Sequence, residues 1–291
     1  MSVAAVEGTA AGAADGAGQA AVAGAAGHAA AAGAVGRGAA AESAACLPFG
    51  VSEGETVLYC LPHAGGSASV FRSWAGQLGN VAVAPIQLPG RETRMRETPY
   101  TQMAPLLEEL ADAILAQQRQ REHADYAVYG HSLGALIGFE LVREIRRREA
   151  TAPVHLIVSG CNAPDQLRAG DNGAPPVWEM SDEEVVGLLR RLGGTPEQIL
   201  ADRSIRRLIL PPFRGDLTVR DTYGYHPQPP LDVPITAIAA TADPRAAVAN
   251  MRGWGRQTGR RFRMHLLSGG HFAVLEQAEA TRSFICDALA G

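Results

Sequence analysis

Six short apolar runs constrain the fold of this chain more than any other feature. Each run is nearly continuous and ends in glycine, proline or a polar residue: TVLYCLPHAGG (56–66), VAVAPIQLPG (81–90), YAVYGHS (126–132), VHLIVSGCNAP (154–164), ITAIAATADP (235–244) and FRMHLLSGGH (262–271). Runs of this kind are typical of strands that are buried on both faces, as in a parallel sheet. Helical periods separate them, and a last one at 273–289 closes the chain. The alternation predicts an α/β fold with a mostly parallel, doubly wound sheet.

The stretch between the fourth and fifth runs contains no strand-like run. In SDEEVVGLLRRL, Ser181 is followed three residues later by Glu184, which is the pattern of a helix N-cap. In TPEQIL the pattern places Thr195 at the N-cap and Pro196 at the first helical position. Ligands bind at the carboxyl ends of the strands in α/β sheets, so helices inserted here would cover the site. We therefore expect a helical lid at about residues 165–215, with packing elsewhere on the surface as the alternative. Its apolar face would carry Val185, Leu188, Leu189 and Leu192.

The first 46 residues differ in composition from the rest, because they consist mostly of alanine and glycine. A segment without periodic large apolar groups cannot bury enough surface to offset its ordering entropy. We expect a disordered extension at 1–46 and a folded domain at 47–291. The extension lacks the early Lys/Arg cluster and leucine-rich core of a secretory signal.

Charge and cysteine content argue against several classes of protein. The formal net charge is −4, whereas a nucleic-acid binder needs a basic surplus to contact phosphates. No apolar run is long enough to span a bilayer, which argues against a membrane protein. The four cysteines form neither a CxxC pair nor a metal-ligand spacing, so we expect reduced thiols in a cytoplasmic protein.

The third apolar run leads into the motif Gly130-His131-Ser132-Leu133-Gly134, which has the pattern G-x-S-x-G. A serine on a sharp strand-to-helix turn needs small neighbours, because larger side chains would collide there. The turn would also place the Ser132 hydroxyl at a helix N-terminus, where the dipole favours developing negative charge. We therefore predict that Ser132 is a nucleophile and that His131 packs beside the turn.

A nucleophilic serine needs a base and an acid that orients the base. In α/β-hydrolases the chain order is serine, then acid, then histidine. His271 follows the sixth run and two glycines, so it is the predicted base. Asp243, which ends the fifth run before Pro244, is the predicted acid, and Asp165 is the alternative.

The reaction also needs two backbone N–H groups to bind the oxyanion. Leu133, directly after the serine, is expected to supply one of them. The other is expected from Ala64, in the loop PHAGGSAS after the first run. A plain tight turn is the alternative interpretation of that loop.

Taken together, six motifs resemble those of type II thioesterases, the stand-alone editing enzymes of polyketide and nonribosomal peptide assembly lines. The motifs are LPHAGGSASVFRSW, QLPGRETRMRE, YGHSLGALIGFEL, LPPFRGDLTVRDTY, ADP and GGHF, and the resemblance covers about residues 55–290. It implies an α/β-hydrolase fold with an inserted lid, and a catalytic set at Ser132, Asp243 and His271. The chain departs from the family in its Ala/Gly-rich N-terminus and in AATADP, where a glycine-rich approach to the aspartate is common.

The resemblance also implies a reaction and a partner. The reaction would be hydrolysis of acyl thioesters, aberrant or stalled, from the phosphopantetheine arm of acyl or peptidyl carrier proteins, with neither a metal nor a cofactor of its own. Arg91, Arg94 and Arg96 would offer donors to the phosphate or to an acidic carrier surface, unless they form only a solvated basic loop.

Other functions remain open at this level. Malonyl-type acyltransferases also carry G-H-S-x-G, but they have a GQGAQ-like stretch near the start that this chain lacks. A lid-bearing carboxylesterase or lipase could use the same three residues. A scaffold that only binds ligand would be expected to lose a member of the triad.

Overall fold

The structure, a computed structural model, describes residues 45–121, 124–167 and 175–290. Its strands are β1 (Thr56–Leu61), β2 (Val81–Pro85), β3 (Tyr126–His131), β4 (His155–Ser159), β5 (Ile235–Ala240) and β6 (Phe262–Leu267). They form one sheet in the order β2-β1-β3-β4-β5-β6, and every neighbouring pair is parallel. Each strand lies within one of the six apolar runs, so the predicted parallel sheet is confirmed.

Both faces of the sheet are buried along β1 to β5, which explains why these strands are continuously apolar rather than alternating, whereas the edge strand β6 is mostly half-buried or exposed. Successive residues of a strand point to opposite faces. In β1, Val57, Tyr59 and Leu61 contact one apolar layer, while Leu58 and Cys60 contact the other. A side chain of either parity therefore meets an apolar environment.

Helices supply these two layers. The first contains α1 (Met103–Gln120) and α2 (Leu133–Arg147), which pack through their apolar stripes. The second contains the 3-10 segment Ala68–Trp74 and the closing helices α7 (Ala273–Glu276) and α8 (Ala278–Leu289), which follow the short helix α6 (Val248–Met251) in the chain. The predicted final helix is thus confirmed, with an interruption at Gln277.

The insertion between β4 and β5 is helical, as predicted. It contains the 3-10 segment Val177–Glu179 and three helices, α3 (Asp182–Leu192), α4 (Glu197–Ala201) and α5 (Arg203–Asp221). These elements have an apolar cluster of their own, which includes Val177, Val185, Val186, Leu189, Leu200, Leu210 and Phe213. The part of the predicted lid at 168–174 lies outside the described residues.

Helix ends in the insertion agree with the sequence at one place and differ at two. Ser181 and Glu184 form a reciprocal capping box at the start of α3, as predicted. The predicted cap at Thr195 is wrong, because Pro196 occupies the N-cap of α4 and no side chain caps that helix. Helix α5 extends to Asp221, beyond the predicted boundary at 215, although it contains Pro211 and Pro212. Interior prolines normally end or kink a helix, which is why local sequence does not predict one of this length.

Three further expectations concern the chain as a whole. The predicted extension lies almost entirely outside the described residues, which begin at residue 45. All four cysteines, each in a described part of the chain, are free thiols. Within the described ranges, no helix combines the length and the apolar character needed to cross a membrane.

Candidate active site

Ser132 lies on the sharp turn between β3 and α2 in a strained backbone conformation. Its φ is 58° and its ψ is −118°, and positive φ in a residue with a side chain costs on the order of 1–3 kcal/mol. The Ser132 N–H donates to the Ser159 carbonyl at 2.8 Å, which ties the turn to β4. Cβ atoms at Gly130 and Gly134 would lie 2.1 Å and 2.2 Å from backbone oxygens. Only glycine fits at both positions, so the motif is required by the local packing.

Asp243 and His271 meet at the carboxyl edge of the sheet. Asp243 follows β5 and His271 follows β6, and the two strands are neighbours. The His271 Nδ1 atom lies 2.7 Å from Asp243 Oδ2, with both side chains almost fully buried. The other oxygen, Asp243 Oδ1, accepts the Arg245 N–H at 2.9 Å. The alternative acid, Asp165, instead forms an ion pair with Arg256 at 2.7 Å.

The environment of Asp243 keeps it ionised. Burial alone would raise the pKa of its carboxyl, but the hydrogen bond to His271 and the Arg245 N–H hold that pKa below its ordinary value. An ionised carboxylate at Nδ1 fixes the proton of His271 on that atom. His271 Nε2 is buried and has no hydrogen-bond partner among the described residues. The atom that a base would use is therefore free, and both His271 and Ser132 line the same cavity.

The two predicted oxyanion donors lie beside each other in the fold. Leu133 is the first residue of α2, so its N–H has no partner within the helix. Ala64 belongs to the turn after β1 and lines the cavity together with Ser132 and Leu133. The first turn of α2 packs directly on the start of that loop, because a Cβ at Gly134 would lie only 2.6 Å from the Pro62 carbonyl oxygen.

Two further histidines surround the predicted triad. The His131 ring lies 4.9 Å from the His271 ring, and its Nδ1 is 3.0 Å from Ser159 Oγ. His63 stacks edge-on against Phe272 at 5.1 Å. Burial lowers the pKa of His63 to about 4 and holds the pKa of His131 well below its ordinary value. Both rings are therefore neutral near pH 7, and they add no charge that would compete for Asp243.

A cavity of about 820 Å³ lies between this site and the inserted helices. Leu188, Leu189 and Leu192 line it, as predicted for the lid. Val185 does not line it, because its side chain is fully buried in the apolar cluster between the inserted helices. Further apolar side chains of the insertion also line the cavity, namely Val177, Trp178, Met180, Ile209, Phe213 and Leu217.

The positive charges near the cavity differ from those predicted. Arg91 and Arg94 are buried and paired with carboxylates, so the expectation that they offer free donors to a ligand is wrong. The arginines that do line the cavity are Arg191, Arg220 and Arg245. Arg245 also reaches the lid, since its Nη2 donates to the Leu192 carbonyl at 2.8 Å. Sequence patterns did not single out this residue, although it lies two positions after Asp243.

A family model for the thioesterase domain matches residues 56–289, which is most of the chain. The chain belongs to the thioesterase family. This thioesterase is therefore a thioester hydrolase, in keeping with a serine and a carboxylate-bound histidine at one cavity. Within the described parts of the thioesterase, no group of three or more His, Cys, Asp or Glu side chains is arranged to hold a metal ion.

Three known proteins are similar to this chain over most of its length. Thioesterase PikA5 of Streptomyces venezuelae is 36% identical over 226 residues, which cover 76% of each chain. The gramicidin S biosynthesis protein GrsT of Aneurinibacillus migulanus is 36% identical over 233 residues, covering 80% of this thioesterase and 88% of GrsT. The solved structure of BorB, a type II thioesterase from the borrelidin biosynthetic cluster, is 36% identical with a TM-score of 0.71, covering 80% of this chain and 92% of BorB. The resemblance to type II thioesterases and the α/β-hydrolase fold are thereby confirmed.

Proposed function

We propose that this thioesterase is a stand-alone editing enzyme that removes acyl groups from the phosphopantetheine arm of acyl or peptidyl carrier proteins. The observation that carries the proposal is that Ser132 and His271 line a cavity that the inserted helices cover, with Asp243 bound to His271 behind it. Apolar side chains of the insertion line this cavity, which suits an acyl chain. The relatives from assembly-line pathways support the same substrate class.

In the proposed mechanism, Ser132 Oγ attacks the thioester carbonyl while His271 Nε2 takes its proton. The Asp243 carboxylate stabilises the imidazolium that forms. The Leu133 and Ala64 N–H groups bind the oxyanion of the tetrahedral intermediate. When the C–S bond breaks, His271 returns the proton to the departing thiolate. Water, activated by His271, then hydrolyses the acyl-serine and releases the carboxylic acid.

The proposal also covers the cofactor, the partner, the location and the domain bounds of the enzyme. The thioester carbonyl needs a nucleophile, a base and oxyanion donors, so the reaction requires neither a metal nor a resident cofactor. The partner is the carrier protein, bound transiently, and neither nucleic acid nor membrane is involved. We also propose a cytoplasmic location, and a catalytic domain at 47–291 preceded by an Ala/Gly-rich extension.

Hydrolysis of a matched substrate panel tests the proposal. Each acyl chain is offered as a carrier-protein thioester, as a pantetheine thioester and as the corresponding ethyl oxoester. We expect thioesters to be preferred over oxoesters, and Ser132→Ala to lower kcat by several orders of magnitude, up to about 10⁶-fold. Ser204→Ala, at an exposed serine on α5, is the matched control and should leave the rate unchanged.

Labelling by a fluorophosphonate separates loss of the nucleophile from loss of folding. The wild type and Ser204→Ala should both be labelled, while Ser132→Ala should remain folded and unlabelled. Faster hydrolysis of the oxoesters than of the thioesters would favour a carboxylesterase instead. A Ser132→Ala protein with wild-type activity would contradict the assigned nucleophile.

A further inference from the structure

We propose that Asp216 and Arg91 are positioning residues that hold the Ala64 N–H in place for the oxyanion, so that helix α5 of the lid builds part of the oxyanion site. The inference rests on the proposed function, because it concerns how that site is held. It adds a role for a buried ion pair that lies outside the triad and does not line the cavity.

The loop after β1 forms a tight turn over residues 63–66. The Gly66 N–H donates to the His63 carbonyl at 2.8 Å, which closes the turn. Gly65, its third residue, has a φ of 74°, a conformation that a type II turn requires at this position and that glycine adopts without strain. A trans peptide unit is planar, and its C=O and N–H point in opposite directions. Since the His63 carbonyl points into the turn, the Ala64 N–H of the same peptide unit points away from it.

Two other backbone groups of the turn are bound by the ion pair. The Gly65 N–H donates to Asp216 Oδ2 at 2.7 Å, and the Gly66 carbonyl accepts from Arg91 Nη1 at 2.9 Å. The His63 carbonyl is occupied by the turn itself. The Ala64 N–H is thereby left as the donor of this turn that can serve a ligand, and Ala64 lines the cavity.

The pair is built as a rigid support. Arg91 and Asp216 are connected by two parallel hydrogen bonds of 2.6 Å and 2.7 Å, the bidentate geometry that fixes orientation as well as distance. Both side chains are about 6% exposed, so solvent does not weaken the contact. A buried ion pair gives little net stability by itself, because desolvation offsets the attraction. Its specific contribution here is therefore the position of the turn.

Helix α5 places Asp216 beside the turn and also covers the turn. A Cβ at Gly65 would lie 3.0 Å from Phe213 Cδ2, so the Phe213 ring packs directly on the turn. Phe213 and Asp216 are three residues apart and thus share one face of α5. The same face also contributes Phe213 and Leu217 to the wall of the cavity. One helix thereby lines the acyl site and supports the oxyanion loop, which couples substrate contacts on the lid to the geometry of the loop.

Asp216→Asn tests the inference, because it keeps the size of the side chain and removes its charge. The matched control is Glu109→Gln, which disrupts the ion pair between the half-buried Glu109 and the buried Arg94. That pair lies near Arg91 in the chain but makes none of the contacts to residues 63–66. For each protein we would measure kcat and KM with a pantetheine thioester, the inhibition constant of an alkyl boronic acid, and the midpoint of thermal unfolding. The boronate adds to Ser132 and presents an oxygen to the oxyanion site, so its affinity reports on the donors.

For Asp216→Asn we expect kcat to fall about 10- to 100-fold, because a misplaced oxyanion donor loses much of its effect, with KM nearly unchanged. The inhibition constant of the boronate should rise by the same factor. Glu109→Gln should lower the unfolding midpoint but leave kcat and the boronate constant at their wild-type values. Wild-type values of both quantities in Asp216→Asn, or equal losses in Glu109→Gln, would overturn the inference.

Two measures keep the test decisive. If Asp216→Asn does not fold, Arg91→Lys decides by the same two quantities, because lysine keeps the charge but cannot form the bidentate contact. We then expect kcat to fall, and the inhibition constant of the boronate to rise, about fivefold or more. Wild-type values of both would overturn the inference. Failure of the proposed function is distinguishable, since a wild-type protein without thioester hydrolysis would still bind the boronate through Ser132 and the oxyanion donors.

Discussion

Replacing Asp243 by asparagine is the sharpest single perturbation of the predicted triad, because it removes a charge and almost no volume. Asp243 uses both oxygens, one for His271 Nδ1 and one for the Arg245 N–H. Asparagine has only one oxygen. If that oxygen keeps the Arg245 N–H, the amide NH₂ faces His271 Nδ1 and forces the proton of the ring onto Nε2. That tautomer cannot accept the proton of Ser132.

The size of the effect follows from these contacts. The opposite amide orientation would set the NH₂ group against the Arg245 N–H, in a site where the aspartate is 6% exposed and water cannot compensate. The wrong tautomer should therefore predominate. We expect kcat to fall about 10⁴-fold, as for loss of the acid in other serine triads. That factor corresponds to about 5 kcal/mol in the activation free energy.

Single-turnover hydrolysis of an acyl-pantetheine thioester, followed by release of the thiol, measures the loss directly. Asp165→Asn is the control, since Asp165 was the alternative acid and is ion-paired with Arg256 at the surface. An exposed pair contributes at most about 1 kcal/mol to stability, so this variant should keep its kcat. The reasoning would be refuted if Asp243→Asn retained more than about a tenth of the wild-type rate. A larger loss of rate in Asp165→Asn than in Asp243→Asn would refute the reasoning equally.

Two further predictions concern the lid and the response to acid. Leu188→Trp, at a half-buried position that lines the cavity, should shift the preference to shorter acyl chains with little change in the unfolding midpoint. Val185→Ala should instead cost about 2 kcal/mol of stability and leave the chain-length preference unchanged, as measured by urea unfolding and a substrate panel. Burial, with Arg263 and Arg261 nearby, lowers the pKa of His155 to about 4 in the folded state. The unfolded chain therefore binds one more proton between about pH 6.5 and pH 4, and the contribution of His155 to stability is complete above this window and lost as the pH falls through it. His155→Gln should make the acid-induced fall in the free energy of unfolding smaller by about 3 kcal/mol at pH 4.5, and an unchanged slope would contradict the prediction.

Much of the fold and part of the site could be predicted from local sequence. All six strands lie in the apolar runs, and for β1 to β5 the reason is that a strand buried on both faces must be apolar whatever its partners are. The turn at Ser132 was predictable from the motif itself, although only Gly130 is required by a residue within a few positions, whereas Gly134 is required by the backbone at the end of β1. The candidates for base and acid were narrowed by chain order and by their places after the last two strands. Their meeting at 2.7 Å, in contrast, depends on β5 and β6 being neighbours.

Other features were decided by the tertiary structure alone. Arg91 and Arg94 belong to a loop rich in charge, and nothing nearby in the sequence indicates that they are buried. The partner of Arg91 is Asp216, 125 residues away, on a helix that its own prolines argue against. Val185 and Leu189 lie on the same helix in one apolar pattern, yet Val185 is enclosed by the lid while Leu189 reaches the cavity. A residue's neighbours in the chain determine its backbone conformation and its apolar periodicity. Whether a charge is buried, and which side of an apolar stripe meets an empty space, depends on side chains from distant segments that only the fold brings together.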